Sequence, residues 1–510
     1  MLACAFVLHY ALGAAVGLSV DEAHYALYAT HLALSYFDHP PLVGWVQWPL
    51  VALNAPVDVL RWIPELLWLG TALLVFQIAE RLQAFTADAW VPRHSARLGA
   101  GFWAVLAMAL APLLHVLGIG LLPDTLLMFF TVLLMWQTLG LMAHGGPASP
   151  VRWLALGLVL GLAGLSKYTA IFAALAVATC LLSAHGLRLL HSPWPWIAVV
   201  LAVVVVSPVG IWNAQNGWIS FVYQTQHGKG GGWRLLPLVQ FLVVQLLAYG
   251  PLLLWGAAGW WALRVTVVRL LPVFFVLPFA VLAGLSGGGS SLPHWTAPAW
   301  VALAPLAGVG LLQFLQRSAS SWRAWCMAAL AIVQLAMALG LMGLMVGGGA
   351  PWLTPKVPST APALEAPESP NPFADLHGWE QAGARALVLA QRHGLQSVSV
   401  QNWTLASRIG WYARPLPVHV LEDRFDQFDF WAGDLPQGGS TLLVDWSQMA
   451  YEVPVAASPI SSIAPAPHGF ASCSLLEALP VVHWGTTLST FRFYDCRQWV
   501  GTPQPRLRNP

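Results

Sequence analysis

Long apolar segments are the feature of this sequence that most constrains its fold. A helix needs roughly 20 apolar residues to cross the ~30 Å hydrocarbon core of a bilayer. Segments that meet or approach this requirement lie at 2–19, 57–80, 97–118, 123–143, 152–166, 168–185, 194–212, 236–262, 270–286, 295–315 and 324–347. We therefore predict a polytopic α-helical membrane protein with about 11 transmembrane helices. The segments on either side of Lys167 are either two short helices or one kinked helix.

Composition divides the chain into a membrane part and a water-soluble tail. Hydrophobic residues make up 57% of the chain and charged residues only 9%, against about 25% charged in soluble domains. Residues 1–350 carry 13 basic and 8 acidic side chains, whereas residues 351–510 carry 10 and 13. We predict a transmembrane domain at 1–347, a Pro-rich linker at 348–372 and a small soluble α/β domain at 373–510. A net charge of +2 without a basic run excludes a nucleic-acid partner.

The predicted tail has a helical pattern and two short strand patterns. Trp379–His393 is amphipathic, and residues 397–401 and 441–445 alternate as strands do. Between Val20 and Asn54 the chain is too polar to span a membrane, and its apolar spacing predicts two interfacial helices. The first apolar segment lacks a basic leader, so we read it as a transmembrane helix and not as a cleaved signal.

Basic residues predict the orientation. With a cytoplasmic N-terminus, the outward loops hold only Lys167, Lys229 and Arg234. The inward loops then hold nine arginines, namely Arg81, Arg93, Arg97, Arg152, Arg188, Arg264, Arg269, Arg317 and Arg323. This bias matches the positive-inside rule. It predicts that the tail and the outer loops lie on the outer face of the membrane.

Polar residues that interrupt the apolar pattern map to the predicted outer side. They are Asp21, Glu22, Asp38, His39, Asp124, Lys167, Lys229, Arg234 and His294. Ionisable groups at a membrane edge are functional candidates, although each alone is also ordinary as a helix-start acid, a turn residue or a snorkelling lysine. The alternative is a transporter or lipid flippase with a periplasmic accessory domain. That class predicts mid-membrane charges, broken helices and repeat symmetry, and the sequence indicates none of these.

The order of these motifs carries a family resemblance. The motifs are Asp21-Glu22-Ala23-His24-Tyr25, Tyr36-Phe37-Asp38-His39-Pro40-Pro41-Leu42, Pro123-Asp124, Leu165-Ser166-Lys167-Tyr168-Thr169 and Pro293-His294-Trp295. Over residues 1 to about 310 the chain resembles the bacterial protein O-mannosyltransferase-like GT-C glycosyltransferases of family 39 type, which include the aminoarabinose lipid A transferase. The tail segment 424–431, Arg-Phe-Asp-Gln-Phe-Asp-Phe-Trp, is similar to family tails.

The resemblance implies an inverting glycosyl transfer from a polyprenyl-phosphate sugar to a lipid, protein or polysaccharide acceptor on the periplasmic face. Asp21 matches the family's catalytic acid, and Glu22 stands beside it. As a general base, Asp21 would take the proton of the acceptor hydroxyl. Asp38, His39 and Asp124 are expected to support the acceptor and the first outer loop. The lipid phosphate is expected to bind Lys167, Arg234, His294 and Arg61.

The resemblance leaves the metal and the sugar open. A divalent ion near the first outer loop is an alternative to a metal-free reaction, with candidate ligands Glu22, His24, Asp38 and His39. His39 stands where some lipid A-modifying relatives have a lysine, so the donor sugar is undecided.

Cys473 and Cys496 lie in a tail placed in an oxidising compartment and are predicted to form a disulfide.

Overall fold

The computed structural model of the 510-residue chain describes residues 2–86, 98–143, 149–229, 231–289, 291–317, 321–350, 371–421, 424–449 and 469–500. Most of the predicted linker, residues 351–370, lies outside this set, as do Arg93, Arg97 and the side chains of Lys229, Arg317 and Arg323. The chain forms two compact units. The transmembrane unit comprises Met1–Ala11 and Leu32–Gly340, and the tail unit comprises Leu12–His31 and Leu341–Pro510.

Helices make up almost all of the chain before residue 348. They are α1 (Leu2–Ala15), α2 (Val20–Thr30), α3 (Leu42–Ala52), α4 (Val57–Leu60), α5 (Trp62–Gln83), α6 (Ala100–Ala109), α7 (Pro112–Ile119), α8 (Pro123–Ala143), α9 (Pro150–Ser166), α10 (Ala170–His185), α11 (Pro193–Gln215), α12 (Ile219–Lys229), α13 (Leu235–Tyr249), α14 (Pro251–Ala262), α15 (Val273–Ser286), α16 (Ala297–Val301), α17 (Ala304–Arg317) and α18 (Ser321–Gly347). Each of the eleven predicted segments contains helix. Helix α9 ends at Ser166 and α10 begins at Ala170, so the segments on either side of Lys167 are two helices.

Several predicted spans are not straight helices. Among the described residues, six helices are long and apolar enough to cross a membrane, or up to ten if each of four bent pairs counts as one span. The pairs α1–α2, α6–α7, α13–α14 and α16–α17 bend by 59° to 84°. The expectation that no helix is broken is therefore wrong. Two breaks have a clear cause, because Pro112 and Pro251 begin α7 and α14 and cannot donate a backbone hydrogen bond to the preceding turn. Eleven crossings remain a prediction.

Small residues allow close packing in the transmembrane unit. A Cβ on Gly259 of α14 would overlap the carbonyl oxygen of Leu306 on α17. On the other side of α17, a Cβ on Gly308 would overlap the carbonyl of Ala100 at the start of α6. Such approaches supply the van der Waals contact that holds helices together when lipid removes the hydrophobic drive for their association.

The tail unit is a mixed α/β domain. Its C-terminal helices are α19 (Trp379–His393), α20 (Trp403–Tyr412) and α21 (Gln427–Trp431), and its strands are β1 (Val398–Val400), β2 (Val418–Val420), β3 (Thr441–Trp446), β4 (Phe470–His483) and β5 (Thr486–Trp499). The sheet order is β2-β1-β3-β5-β4. Strands β1, β2 and β3 are parallel, and β5 is antiparallel to β3 and β4. The predicted helix and both predicted strands are confirmed, so the predicted fold class is confirmed as well.

A long hairpin, which the sequence analysis did not identify, closes this sheet. Strands β4 and β5 have 14 residues each and are joined at Trp484 and Gly485. Both turn residues have positive φ, 47° and 76°, as the tightest hairpin turns require. In the hairpin register Cys473 lies directly opposite Cys496, and their sulfur atoms are 2.07 Å apart.

Candidate functional site

A buried ion pair in the transmembrane unit joins two of the predicted site residues. The ammonium of Lys167 donates to both carboxylate oxygens of Asp124, each at 2.7 Å. These side chains are only 8% and 3% exposed. His294 Nε2 lies 3.8 Å from the same carboxylate, and the Lys167 ammonium lies 5.6 Å from the ring centre of Trp295. Three candidate residues from distant segments therefore meet at one place.

Helix ends position the ion pair. Asp124 is in the first turn of α8 after Pro123, where an acid interacts favourably with the helix dipole. Lys167 ends α9 in an extended conformation, with φ −158° and ψ 145°. Its backbone N–H still donates to Ala163 O at 3.2 Å. The lysine is thus held in the break between two helices and not along a continuous helix.

A network of buried side chains fixes the turn that carries His294. Gln245 and Tyr249 of α13 each donate to the carbonyl of Pro293 at 3.2 Å. The indole of Trp300 donates in turn to the Gln245 amide oxygen at 2.7 Å. Gln245 and Tyr249 have no exposed surface. The loop position of His294 is therefore determined by α13 and α16.

The sequence predicted a lipid phosphate as the partner of Lys167, whereas the structure gives it a protein partner. An ammonium has three N–H groups, and the two bonds to Asp124 leave one of them for a further acceptor. The carboxylate balances the lysine charge, so the pair can be buried without a ligand at a tolerable electrostatic cost. Protonated His294 would give the group a net positive charge suited to a phosphate.

Hydrogen bonds to backbone carbonyl groups hold the Asp38–His39 turn. Tyr36 N–H donates to His39 O at 3.1 Å, and Ser220 Oγ donates to Tyr36 O at 2.9 Å. Gln224 of α12 donates to Asp38 O at 2.6 Å. Asp38 and His39 are both half-buried. These bonds fix the turn, and its side-chain roles stay predictions.

Asp21 and Glu22 belong to the tail unit, at the start of α2. Ser19 caps this helix, and the Glu22 carboxylate accepts from both the N–H and the hydroxyl of Ser19 at 3.0 Å. This reciprocal arrangement is a capping box. One Glu22 oxygen is therefore engaged in forming the helix that carries half-buried Asp21.

A buried arginine of the tail unit interacts electrostatically with Asp21. Arg408 on α20 is completely buried, pairs with Asp375 and lies 3.8 Å above the Trp379 ring. Burial lowers the pKa of the Arg408 guanidinium, while Asp375 and Asp21 both favour its charged form. Arg408 was not among the predicted site residues, because its significance comes from the side chains packed around it.

His24 of α2 lies in an aromatic cluster formed with α20 and α21. Its Nδ1 is 3.1 Å from Ser407 Oγ, and its ring is 5.4 Å from Trp403 and 5.9 Å from Trp431. Near this cluster, burial raises the pKa of the Asp426 carboxyl to about 7, and Asp429 adds to that rise. The tail segment 424–431 that carried part of the family resemblance thus packs against the first-loop helix.

Two arginines, Arg61 and Arg234, were also predicted to bind the lipid phosphate. Arg61 ends the short helix α4 and is only 7% exposed. Arg234 is exposed at the start of α13, where its backbone N–H donates to Gly287 O at 2.8 Å. The phosphate roles of both stay predictions.

A second polar cluster was missed in the sequence. His9 Nδ1 lies 2.5 Å from a Glu65 oxygen, and His9 Nε2 lies 2.7 Å from His115 Nδ1. His115 Nε2 donates to Ala109 O at 2.7 Å, so its Nδ1 is an acceptor and His9 Nε2 must donate to it. These three ionisable side chains are buried among helices; the sequence indicated no charges at mid-membrane depth. Lone polar residues in apolar segments were the signal.

The candidate metal ligands do not form a coordination site. Among the residues that the structure describes, no group of three or more His, Cys, Asp or Glu side chains is placed to hold a metal ion. Glu22 binds Ser19, and His24 packs against aromatic rings. The divalent ion near the first outer loop stays a prediction, and the proposed reaction uses none.

Comparisons with known proteins agree with this architecture. Residues 38–212 match the family model for dolichyl-phosphate-mannose-protein mannosyltransferase. The lipid A galacturonosyltransferase RgtD of Rhizobium johnstonii is 25% identical over 292 residues, which cover 56% of this chain and 58% of RgtD. The match thus spans little more than half of that relative's length.

Two solved structures show the fold. The structural match to ArnT from Cupriavidus metallidurans in its apo state covers 96% of this chain and 96% of ArnT, with a TM-score of 0.59 and 15% identity. The ArnT structure bound to undecaprenyl phosphate gives a TM-score of 0.57, 16% identity and the same coverage. The resemblance inferred from the sequence motifs is thereby confirmed, in sequence over the matched segment and in fold over nearly the whole chain: the protein is similar to GT-C glycosyltransferases of family 39 type.

Proposed function

We propose that this protein is a membrane glycosyltransferase that moves a sugar from a polyprenyl-phosphate donor to an acceptor at the outer face of the bacterial inner membrane. The observation that carries the proposal is the buried Asp124–Lys167 pair with His294 beside it. Asp124 and Lys167 both fall within the segment that matches the mannosyltransferase family model. Ionisable side chains within membrane segments are costly to bury, so three of them from separate segments at one place mark a candidate functional site.

The proposed reaction is a single inverting displacement. The acceptor hydroxyl attacks the anomeric carbon, and its proton passes to the Asp21 carboxylate as the new C–O bond forms. The bond from the anomeric carbon to the phosphate oxygen breaks, and polyprenyl phosphate leaves with the electron pair. The leaving phosphate needs a cation and not an acid, so Lys167, held by Asp124, would stabilise its charge through its remaining N–H.

The relatives supply the first donor and acceptor to test. ArnT is solved with undecaprenyl phosphate, and RgtD is named as a lipid A galacturonosyltransferase. We infer an undecaprenyl-type donor and lipid A as the first acceptor. The family description, a dolichyl-phosphate-mannose-protein mannosyltransferase, makes a protein acceptor the second.

Mass spectrometry of the envelope tests this proposal. Deleting the gene should remove one sugar from lipid A, or from another envelope glycan. Wild-type protein should restore that sugar, and Asp21→Asn at equal expression should not. An unchanged set of envelope glycans after deletion would contradict the proposal and favour the transporter alternative.

The outer-face location rests on the nine-to-three bias of basic residues. Reporter fusions should place residue 90 in the cytoplasm and residue 400 outside. A cytoplasmic reading at residue 400 would reverse the proposed location of Asp21.

A further inference from the structure

A cavity of about 450 Å³ lies in the transmembrane unit, apart from the Asp124–Lys167 pair. It is formed by the C-terminal ends of α5 and α8 and by the first turns of α9. Asp124 begins α8, and Gly140 of the cavity lies 16 residues further along, which is ~24 Å of helix. The cavity is therefore at the opposite end of α8 from the proposed donor site.

The charged side chains that line this cavity are cationic. Arg81 and Arg152 line it, and no Asp or Glu is among its lining residues. The Arg81 guanidinium lies 4.6 Å above the ring of Trp136. In the part of the chain that the structure describes, no ion pair joins either arginine to a carboxylate. Two guanidinium groups that have no carboxylate partner among the described residues favour an anion.

Two buried polar atoms of lining residues also lack a partner. The indole N–H of Trp136 and the side-chain oxygen of Gln137 are both buried, and neither bonds to any residue that the structure describes. A buried polar group without a hydrogen-bond partner destabilises the folded protein. The indole needs an acceptor and the amide oxygen needs a donor. A ligand with an anionic oxygen and a hydroxyl group would satisfy both.

The remaining lining is apolar. Phe85, Leu139, Leu141, Ala143 and Ala155 contribute to it. A free phosphate ion would leave this surface uncovered, whereas an acyl chain would bury it. The chemistry therefore combines an anionic, hydroxyl-bearing headgroup with hydrocarbon.

We propose that this cavity binds an anionic phospholipid with a glycerol headgroup, in the leaflet opposite the proposed donor site. The phosphate would bind Arg81, Arg152 and the Trp136 N–H, the glycerol hydroxyl would donate to Gln137, and the acyl chains would lie along the apolar wall. The predicted orientation places this end of α8 at the cytoplasmic leaflet, where basic pockets between helices bind anionic lipids.

Native mass spectrometry of the purified full-length protein tests the proposal. Phosphatidylglycerol should bind about tenfold more tightly than phosphatidylcholine with the same acyl chains. The double variant Arg81→Gln/Arg152→Gln should lose this preference. Arg188→Gln is the matched control, because Arg188 is exposed on the same predicted face but does not line the cavity, and it should keep the preference.

A second variant removes space and leaves the charge in place. A Cβ on Gly140 would meet no atom within 4 Å, so Gly140→Leu should fill the cavity without disturbing the helices and should reduce lipid retention. Gly140→Leu also tests the proposed lipid binding if the arginine variants do not fold. The proposal is overturned if the double variant or Gly140→Leu keeps the preference, or if Arg188→Gln loses it equally. Displacement of the lipid by millimolar glycerol phosphate would indicate a site for a soluble anion instead.

Discussion

The ion pair between Lys167 and Asp124 makes the consequences of mutation calculable. The pair is almost fully buried, so Lys167→Met leaves a carboxylate without its cation in a poorly solvated site. Removing one partner of a buried pair costs about 3 to 5 kcal/mol, which is a large part of the 5 to 15 kcal/mol that typically stabilises a folded protein. Lys167→Met should therefore unfold at a clearly lower temperature, and Asp124→Asn should do the same.

The double variant separates a structural from a catalytic role. Lys167→Met/Asp124→Leu replaces both charges by apolar groups, and such replacements are often neutral for stability. It should melt within a few degrees of wild type in detergent, as measured by intrinsic fluorescence. Its transfer from a polyprenyl-phosphate sugar should stay at least 100-fold below wild type, because the cation for the leaving phosphate is absent. A double variant that recovers both stability and turnover would show that the pair only holds α8 and α9 together.

Three further predictions concern the tail unit and the metal. The pKa of Asp426 is raised to about 7, so the folded tail binds an extra proton between about pH 4 and 7 and loses stability as the pH rises through that range. Asp426→Asn keeps the cap to Phe428 N–H but removes the ionisation, so its melting temperature should fall less than that of wild type between pH 5 and 8; an identical fall would contradict the assigned burial. Cys473 and Cys496 should resist alkylation until reduced, and Cys473→Ser/Cys496→Ser should cost about 2 to 4 kcal/mol of tail stability; labelling of both thiols without reductant would contradict this. Because Glu22 and His24 are engaged by Ser19 and Ser407, treatment with EDTA should leave turnover within about twofold, and loss of turnover restored by one added divalent ion would contradict it.

The transmembrane helices were predictable because apolar segment length is set by membrane thickness. The bends within the apolar segments were not predictable from hydropathy. The hydropathy of residues 236–262 is continuous through Gly250 and Pro251, yet the chain turns there between α13 and α14. The long hairpin of the tail was also missed, since the polar and apolar residues of β4 alternate poorly.

The candidate site was predicted as a set of residues but not as contacts. Asp124 and Lys167 were each identified as costly groups at a membrane edge, and their pairing depends on tertiary packing across 43 residues of sequence. Arg408 was not identified, because its significance comes from Asp375, Trp379 and Asp21 around it and not from its own position. Glu22 was identified as a catalytic candidate, although Ser-x-x-Glu is also a capping box.

In the proposed reaction, Asp21 acts as the base in sugar transfer from a polyprenyl phosphate. The direct measurement is single-turnover reaction of purified full-length protein with undecaprenyl-phosphate sugars and lipid A, with the release of undecaprenyl phosphate followed by mass spectrometry. Wild-type protein should release undecaprenyl phosphate and glycosylated acceptor in equal amounts with at least one donor, and Asp21→Asn should be slower by at least 100-fold. An Asp21→Asn protein that retains more than about a tenth of the wild-type rate would contradict the base role, which requires at least that 100-fold effect.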